Sequence, residues 1–296
     1  ETLNVVYVID DGGKLIDDIR IRKLLLASPD APVADVMDDT FISLMAADDQ
    51  ETAVDAMRRS DMTALPVTDS DGVLVGIVTI DDVLDVAAAE ATEDIQKFGG
   101  MEALDEPYLK IAFFRMVKKR AGWLVILFLG EMLTATAMGF FLYEIERTAV
   151  PALFFPSIIS SGGNSGSQAA TLVIRAMALT EVTLGDWWRV MHREVFTGIA
   201  LGSILGAIGF LRITLWSAFS NIYGEHWLLV ALTVGVSLIG IVLWGTLAGS
   251  MLPFILRRVG IDPATSSAPF VATLVDVTGL IIYFGVAMII LRGTLL

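Results

Sequence analysis

Residues 151–176 read PALFFPSIISSGGNSGSQAATLVIRA, and residues 260–280 read GIDPATSSAPFVATLVDVTGL. Each lies in a stretch long enough for a membrane span, which needs ~20 predominantly apolar residues, yet neither is composed like an ordinary one. The first carries Pro151, Pro156, Gly162, Gly163, Asn164, Gly166 and Gln168, a set that weakens a helix and frees backbone groups. Irregular backbone at membrane depth is tolerated only where it is buried in protein or lines a wet cavity; close helix packing through small residues is the competing explanation. Asn164 and Gln168 are four apart and share one helical face. The second stretch places Asp276 eleven residues into an apolar run. A charge at the bilayer centre costs at least ~2.5 kcal/mol on the mildest insertion scale, so Asp276 is expected to line a pore. Glu131 is also deep in an apolar run, where Thr134 or a neighbouring helix can satisfy it when protonated.

Outward from these two stretches, five spans are expected, at about 121–142, 151–179, 194–216, 227–256 and 265–291. Lys110, Arg115, Lys118, Lys119 and Arg120 precede the first, Arg189 and Arg193 separate the second from the third, and Arg257 and Arg258 separate the fourth from the fifth. The opposite side holds only Arg147, Arg212 and Arg292, while Arg175 near the end of the second span is expected to snorkel or pair locally. The positive-inside rule then puts the amino-terminal part in the cytoplasm and the carboxyl terminus outside.

Composition agrees with two parts in two solvents. The chain is 55% hydrophobic, with a mean hydropathy of +0.69. Residues 1–107 hold 25 Asp and Glu against 7 Lys and Arg, whereas residues 108–296 hold 9 against 13. So acidic a first part repels nucleic acid and anionic headgroups and attracts cations. The absence of Cys excludes disulfides and thiolate metal sites, and His192 and His226 are too isolated for a zinc centre. Any metal is therefore expected to be hard and oxygen-bound. With no G-x-S-x-G and no H-E-x-x-H, an enzyme is not expected.

The acidic part contains a repeat. VIDDGGKLIDDIRIRKLL, Val8 to Leu25, aligns with VTDSDGVLVGIVTIDDVL, Val67 to Leu84, at an offset of 59 residues. Asp10 meets Asp69, Gly13 meets Gly72, and Leu15 meets Leu74. Each copy reads as strand, turn, strand and short helix. Between them, Ala53, Met57 and Leu65 have the spacing of an amphipathic helix entering a strand. Asp69, Asp71 and Gly72 lack the remaining ligands of an EF-hand loop and are expected to form a hairpin turn.

This repeat resembles the CBS domain, which works as a side-by-side pair and often binds adenine nucleotides. The resemblance implies that residues 1–32 are the C-terminal part of a first unit and 33–90 a second, complete one. It also implies ATP as a ligand of the pair, with the signature that can hold a ribose at Gly76, Thr79 and Asp82. The plainer reading of those three is a strand end followed by a capped helix.

With SGGNSGSQAATLVIRA and GIDPATSSAPFVATLVDVTGL following such a domain, the chain resembles the MgtE family of bacterial magnesium channels. The resemblance implies an α-helical transmembrane pore domain over 121–296, with five spans per subunit, an α+β cytosolic CBS domain, and a connecting plug helix within 91–120, from about Gln96 to Lys119. It implies a homodimer in the plasma (inner) membrane, its pore on the two-fold axis between the second and fifth spans, and an amino-terminal domain of the family that this sequence lacks. Asp276 matches the pore carboxylate, Ala272 a position offering its carbonyl, and Gly163 and Asn164 a break at the pore. Ala268 departs from members with a polar Asn there. Regulatory Mg²⁺ would bind Glu51, Asp61, Asp82, Asp85, Glu90, Glu93, Asp94 and Asp262, at the interface between the acidic and membrane parts, and hold the pore shut. The residues themselves favour Mg²⁺, which dehydrates reluctantly and suits few carboxylates among many amide and carbonyl acceptors. A secondary transporter coupling a divalent cation to H⁺ or Na⁺ through Glu131 and Asp276 is the alternative.

Overall fold

The computed structural model describes residues 4–38, 40–142, 153–220 and 222–294; Arg147 and Pro151 lie outside the described residues. The chain divides into two compact units, Glu1–Thr92 and Glu93–Leu296.

In the first unit the repeat becomes two hairpins. β1 (Val5–Ile9) and β2 (Leu15–Arg20) pair antiparallel and lead into α1 (Ile21–Leu26). In the second copy β3 (Leu44–Met45) runs parallel to β4 (Ala64–Thr68), which pairs antiparallel with β5 (Leu74–Thr79). The likeness extends to irregularities. Register shifts fall at Val8/Ile9 and at Val67/Thr68, equivalent positions. In each turn one aspartate organises the backbone: Asp10 Oδ1 accepts from the amides of Gly12 and Lys14, and Asp69 Oδ1 from those of Asp71 and Val73. The glycines Gly13 and Gly72 take φ of 81° and 83°, which residues bearing a Cβ avoid. The turns also clasp each other, the Leu15 amide donating to the Gly72 carbonyl (3.0 Å) and the Leu74 amide to the Gly13 carbonyl (2.9 Å). A carboxylate occupied with its own turn is the hairpin chemistry expected of Asp69.

Between the hairpins α2 (Gln50–Ser60) is capped by Asp49, whose side chain accepts from the Glu51 amide, and ends at Asp61 with φ of 53°. Met57 of α2 and Leu65 of β4 are buried together with Leu44 and Val83, so the amphipathic spacing read from Ala53, Met57 and Leu65 forms this small core. α3 (Ile80–Phe98) follows β5 directly.

The second unit is a helical bundle. α4 (Phe113–Phe140), α6 (Trp187–Ser217), α7 (Trp227–Arg258) and α8 (Ala268–Leu291) are each long and apolar enough to cross a membrane. α5 (Phe155–Ala178) is about 36 Å long at 1.5 Å per residue, enough to cross, but is not among the helices apolar enough to qualify on composition. The connecting helix expected from Gln96 to Lys119 is not formed. α3 stops at Phe98, Gly100 takes φ of 74°, and α4 begins only at Phe113. The reason is local: Gly99-Gly100 ends one helix, Pro107 cannot donate to another, and any Cβ on Gly100 would lie 2.8 Å from Trp123.

α7 is the centre of the bundle, and glycines decide how closely its neighbours approach. On one side Gly198, Gly202 and Gly206 of α6 lie against Leu243, Ile239 and Gly235. On the other side α5 meets α7 backbone to backbone. A Cβ on Gly245 would lie 2.2 Å from the Gly162 carbonyl oxygen, and one on Gly249 would lie 2.0 Å from that of Gly166. α8 closes the group, with Val271, Val275, Leu280 and Tyr283 buried in a core shared with Ile158, Ile159 and Ile241.

Candidate ion pathway and candidate regulatory carboxylates

The break expected at Gly163 and Asn164 is absent: α5 is one continuous helix from Phe155 to Ala178. Its glycines are there for packing. Gly162 and Gly166 face α7 and also receive Val275 and Val271 of α8, and Gly163 faces α8, where a Cβ would lie 3.4 Å from the Ala272 Cα. The structure thus brings Gly163 and Ala272 together across α5 and α8, with Asp276 one turn further along α8 and half-buried.

The opposite face of α5 is its unusual feature. Ser157, Ser160, Asn164, Gln168, Thr171 and Arg175 recur every three or four residues, all are exposed on the single chain, and they run the length of the helix. Asn164, Gln168 and Arg175 are legible in the sequence; the three hydroxyl residues that complete the stripe, Ser157, Ser160 and Thr171, are not singled out by it, although their spacing is regular. A second feature is the partner of Asp276. The Glu131 carboxyl of α4 lies within hydrogen-bonding reach of it, and the helices meet where Gly130 abuts Thr273. At the start of α8, Ser167 donates to the Ala268 carbonyl (3.2 Å), and Ser267 caps the helix at the Phe270 amide.

The carboxylates expected from sequence to be regulatory are distributed over several elements. Glu51 is in the first turn of α2, Asp61 at its end, and Asp82, Asp85, Glu90, Glu93 and Asp94 on α3. Within the first unit, the Glu90 carboxylate accepts a hydrogen bond from Gln50. Within the second, Lys97 bridges Glu93, one turn earlier on α3, at 2.5 Å and Asp262 at 2.7 Å. Asp262 is fixed by its own turn, its Oδ1 accepting from the Ala264 amide. Partial burial opposes the charge on Lys97, but hydrogen bonds to Asp262 and Glu93 outweigh it and hold the ammonium above its ordinary range. Lys97 was not singled out from sequence, since nothing local places it near residue 262. Among the described residues no three His, Asp or Glu side chains converge in a ready-made metal cage.

Of the residues expected to hold a nucleotide, Thr79 ends β5 and its Oγ1 donates to Asp82 Oδ2 (3.2 Å) in the first turn of α3. A cleft of about 810 Å³ is lined by residues that include Arg20, Arg22, Lys23, Asp38 and Phe41. By the repeat alignment, Arg20 and Lys23 stand at the positions of Thr79 and Asp82.

A family model described as Divalent cation transporter matches residues 155–286, and a CBS domain model matches residues 33–89. The Magnesium transporter MgtE of Thermus thermophilus is 42% identical over 293 residues, 99% of this chain and 63% of that protein. That of Enterococcus faecalis is 33% identical over 295 residues, 99% of this chain and 62% of the relative. A solved structure of the cytosolic domain of the Mg²⁺ channel MgtE in complex with ATP is 43% identical and covers 29% of this chain and 35% of its own, with a TM-score of 0.29. The chain spans just under two thirds of the length of the relatives it matches. A CBS unit followed by a bundle of membrane-type helices, matched along nearly the whole chain by proteins of one kind, makes this a multi-pass membrane protein that belongs to the MgtE family of divalent cation transporters.

Proposed function

We propose that the chain forms a homodimeric Mg²⁺ channel in the plasma (inner) membrane, lined by α5 and α8 of both subunits and closed by cytosolic Mg²⁺. The observation that carries this reading is the polar stripe of α5. Six hydroxyl, amide and guanidinium side chains on one face of a 24-residue helix cannot face lipid without several unsatisfied groups, each costly there. A water-filled path on a two-fold axis satisfies them. α5 is accordingly the second of five spans, whose low apolarity reflects its wet face. Asn164, with the backbone at Gly163 and Ala272, offers neutral oxygens to an ion that keeps its waters, and Asp276 supplies the charge. The amino-terminal unit is cytoplasmic and the carboxyl terminus outside.

The pathway's own test is electrical. In proteoliposomes the current should reverse at the Nernst potential of Mg²⁺ and stay there as pH or Na⁺ is varied. One observation favours a second reading, a secondary transporter coupled to H⁺ or Na⁺: the Glu131–Asp276 contact supplies a second carboxyl where a coupling ion would sit. Under that reading the reversal potential moves with pH or Na⁺.

The dimer has a separate test in this Cys-free background. Gly163 is a poor handle, being buried against Ala272 within one subunit. Asn164→Cys is the better one: it should form a disulfide between subunits under mild oxidation, and Gly245→Cys, set against α5, should not. Exclusively monomeric Asn164→Cys with full flux would remove the shared pore.

Regulatory Mg²⁺ occupies the carboxylates of α2 and α3, Glu51, Asp61, Asp82, Asp85, Glu90, Glu93 and Asp94, together with Asp262. Their density supports this, since like charges so close repel unless cations sit among them. ATP is proposed as a ligand of the first unit. Gly76, Thr79 and Asp82 would take its ribose; the separate cleft lined by Arg20, Arg22 and Lys23 offers cations of the kind that bind phosphates.

A further inference from the structure

Lys97 places a positive charge where two of the proposed regulatory ligands meet. Its ammonium is bound to Glu93 across one helical turn and to Asp262, 165 residues further along the chain. Neither partner is drawn there by the other, because both are acidic; the lysine is what holds them together in the absence of metal. Its side chain is 28% exposed, so the ammonium has a way out to solvent. We infer that Lys97 is a built-in competitor for the Glu93–Asp262 site, a tethered monovalent cation that Mg²⁺ must displace, and that it sets both the Mg²⁺ threshold of this site and its indifference to monovalent ions. The inference rests on the reading of Glu93 and Asp262 as regulatory ligands and adds the rule by which they choose an ion.

The physical case concerns charge and effective concentration. An ammonium on a short tether is present at an effective concentration in the millimolar range or above. A free K⁺ ion offers the same single charge without the three directed N–H donors of an ammonium, so it gains nothing by replacing it. A divalent ion brings twice the charge to the same two carboxylates and can win, but only once its concentration offsets the lysine's advantage of being attached. A site of this design stays neutralised by its own side chain at low Mg²⁺ and exchanges one cation for another as Mg²⁺ rises.

The test is Mg²⁺ calorimetry on the full chain in detergent, at low and at high K⁺, comparing wild type with Lys97→Met, Lys97→Arg and Asp262→Asn. Asp262→Asn should lose one Mg²⁺ site. Lys97→Met should bind Mg²⁺ at that site about tenfold more tightly, the competitor having been removed, and should acquire a K⁺ dependence that wild type lacks. Lys97→Arg keeps a tethered cation and should stay near wild type. If Lys97→Met binds Mg²⁺ with unchanged or weaker affinity while Asp262→Asn loses its site, the lysine is a structural support and the competitor role is wrong, with the regulatory reading intact. An Asp262→Asn isotherm identical to wild type would remove the site itself, and the lysine proposal with it.

Discussion

Asp276→Ala is expected to abolish Mg²⁺-selective flux while leaving the helical unit folded. The side chain is not an anchor of the bundle. Val275 and Gly279 on either side make the buried contacts of α8, and Asp276 itself is only half-buried, its carboxyl near Glu131. Its removal therefore costs little packing. It takes one negative charge per subunit from a confined, poorly screened path, and the lost attraction for a divalent ion is several kcal/mol at an effective dielectric of ~20. Flux should fall by about two orders of magnitude or more. Asp276→Asn preserves shape and hydrogen bonding and should fall nearly as far, which isolates charge as the cause. Mg²⁺ uptake into proteoliposomes, with Mn²⁺ and Ca²⁺ for selectivity, measures both. Undiminished and equally selective flux in the two variants would move the ion path away from α8.

If the proposed channel is closed by Mg²⁺ at these carboxylates, the combination Asp82→Asn, Asp85→Asn and Glu90→Gln should leave it open at Mg²⁺ concentrations that close the wild type. All three lie on α3, and Asp82 and Asp85 are one turn apart. Moving a gate from mostly closed to mostly open takes a differential of ~5.5 kcal/mol. One exposed site cannot supply that, whereas several sites acting together can. Wild type should accordingly close with a Hill coefficient above one, and the triple variant should lose both the closure and the steepness. Glu90 also accepts a hydrogen bond from Gln50, which Gln can still accept through its amide oxygen, so the fold of the first unit should survive. Closure of the triple variant at the wild-type concentration would make the acidic face a solvated surface and place the sensor elsewhere.

Much of this was legible in the residues because it depends on short-range pattern. The hairpin repeat follows from Asp and Gly at fixed offsets, and even the equivalent register shifts accompany it. Long apolar runs gave the bundle helices to within several residues at most ends. Composition misled where one residue type has two uses. Glycines at 162, 163 and 166 weaken an isolated helix, but against α7 and α8 they admit close approach, and the packing secures the helix that propensity disfavours. The connector failed for the converse reason: its charged residues suit a helix, while Gly99, Gly100 and Pro107 interrupt it. Contacts such as Lys97 with Asp262, or Glu131 with Asp276, join residues far apart in the chain, and no local spacing announces them.

The glycine contacts between α5 and α7 limit which motions can open a path. Where backbone touches backbone there are no rotamers to rearrange, so neither helix can roll or slide on the other without collision; mechanically the two are one strut. α8 meets α5 through side chains instead, Ala272 at Gly163 with ordinary van der Waals clearance and the Val271 and Val275 methyls close against Gly166 and Gly162, and side chains can change rotamer where backbone cannot. The degree of freedom available to a gate is therefore the movement of α8, carrying Asp276, across a face of α5 that stays fixed.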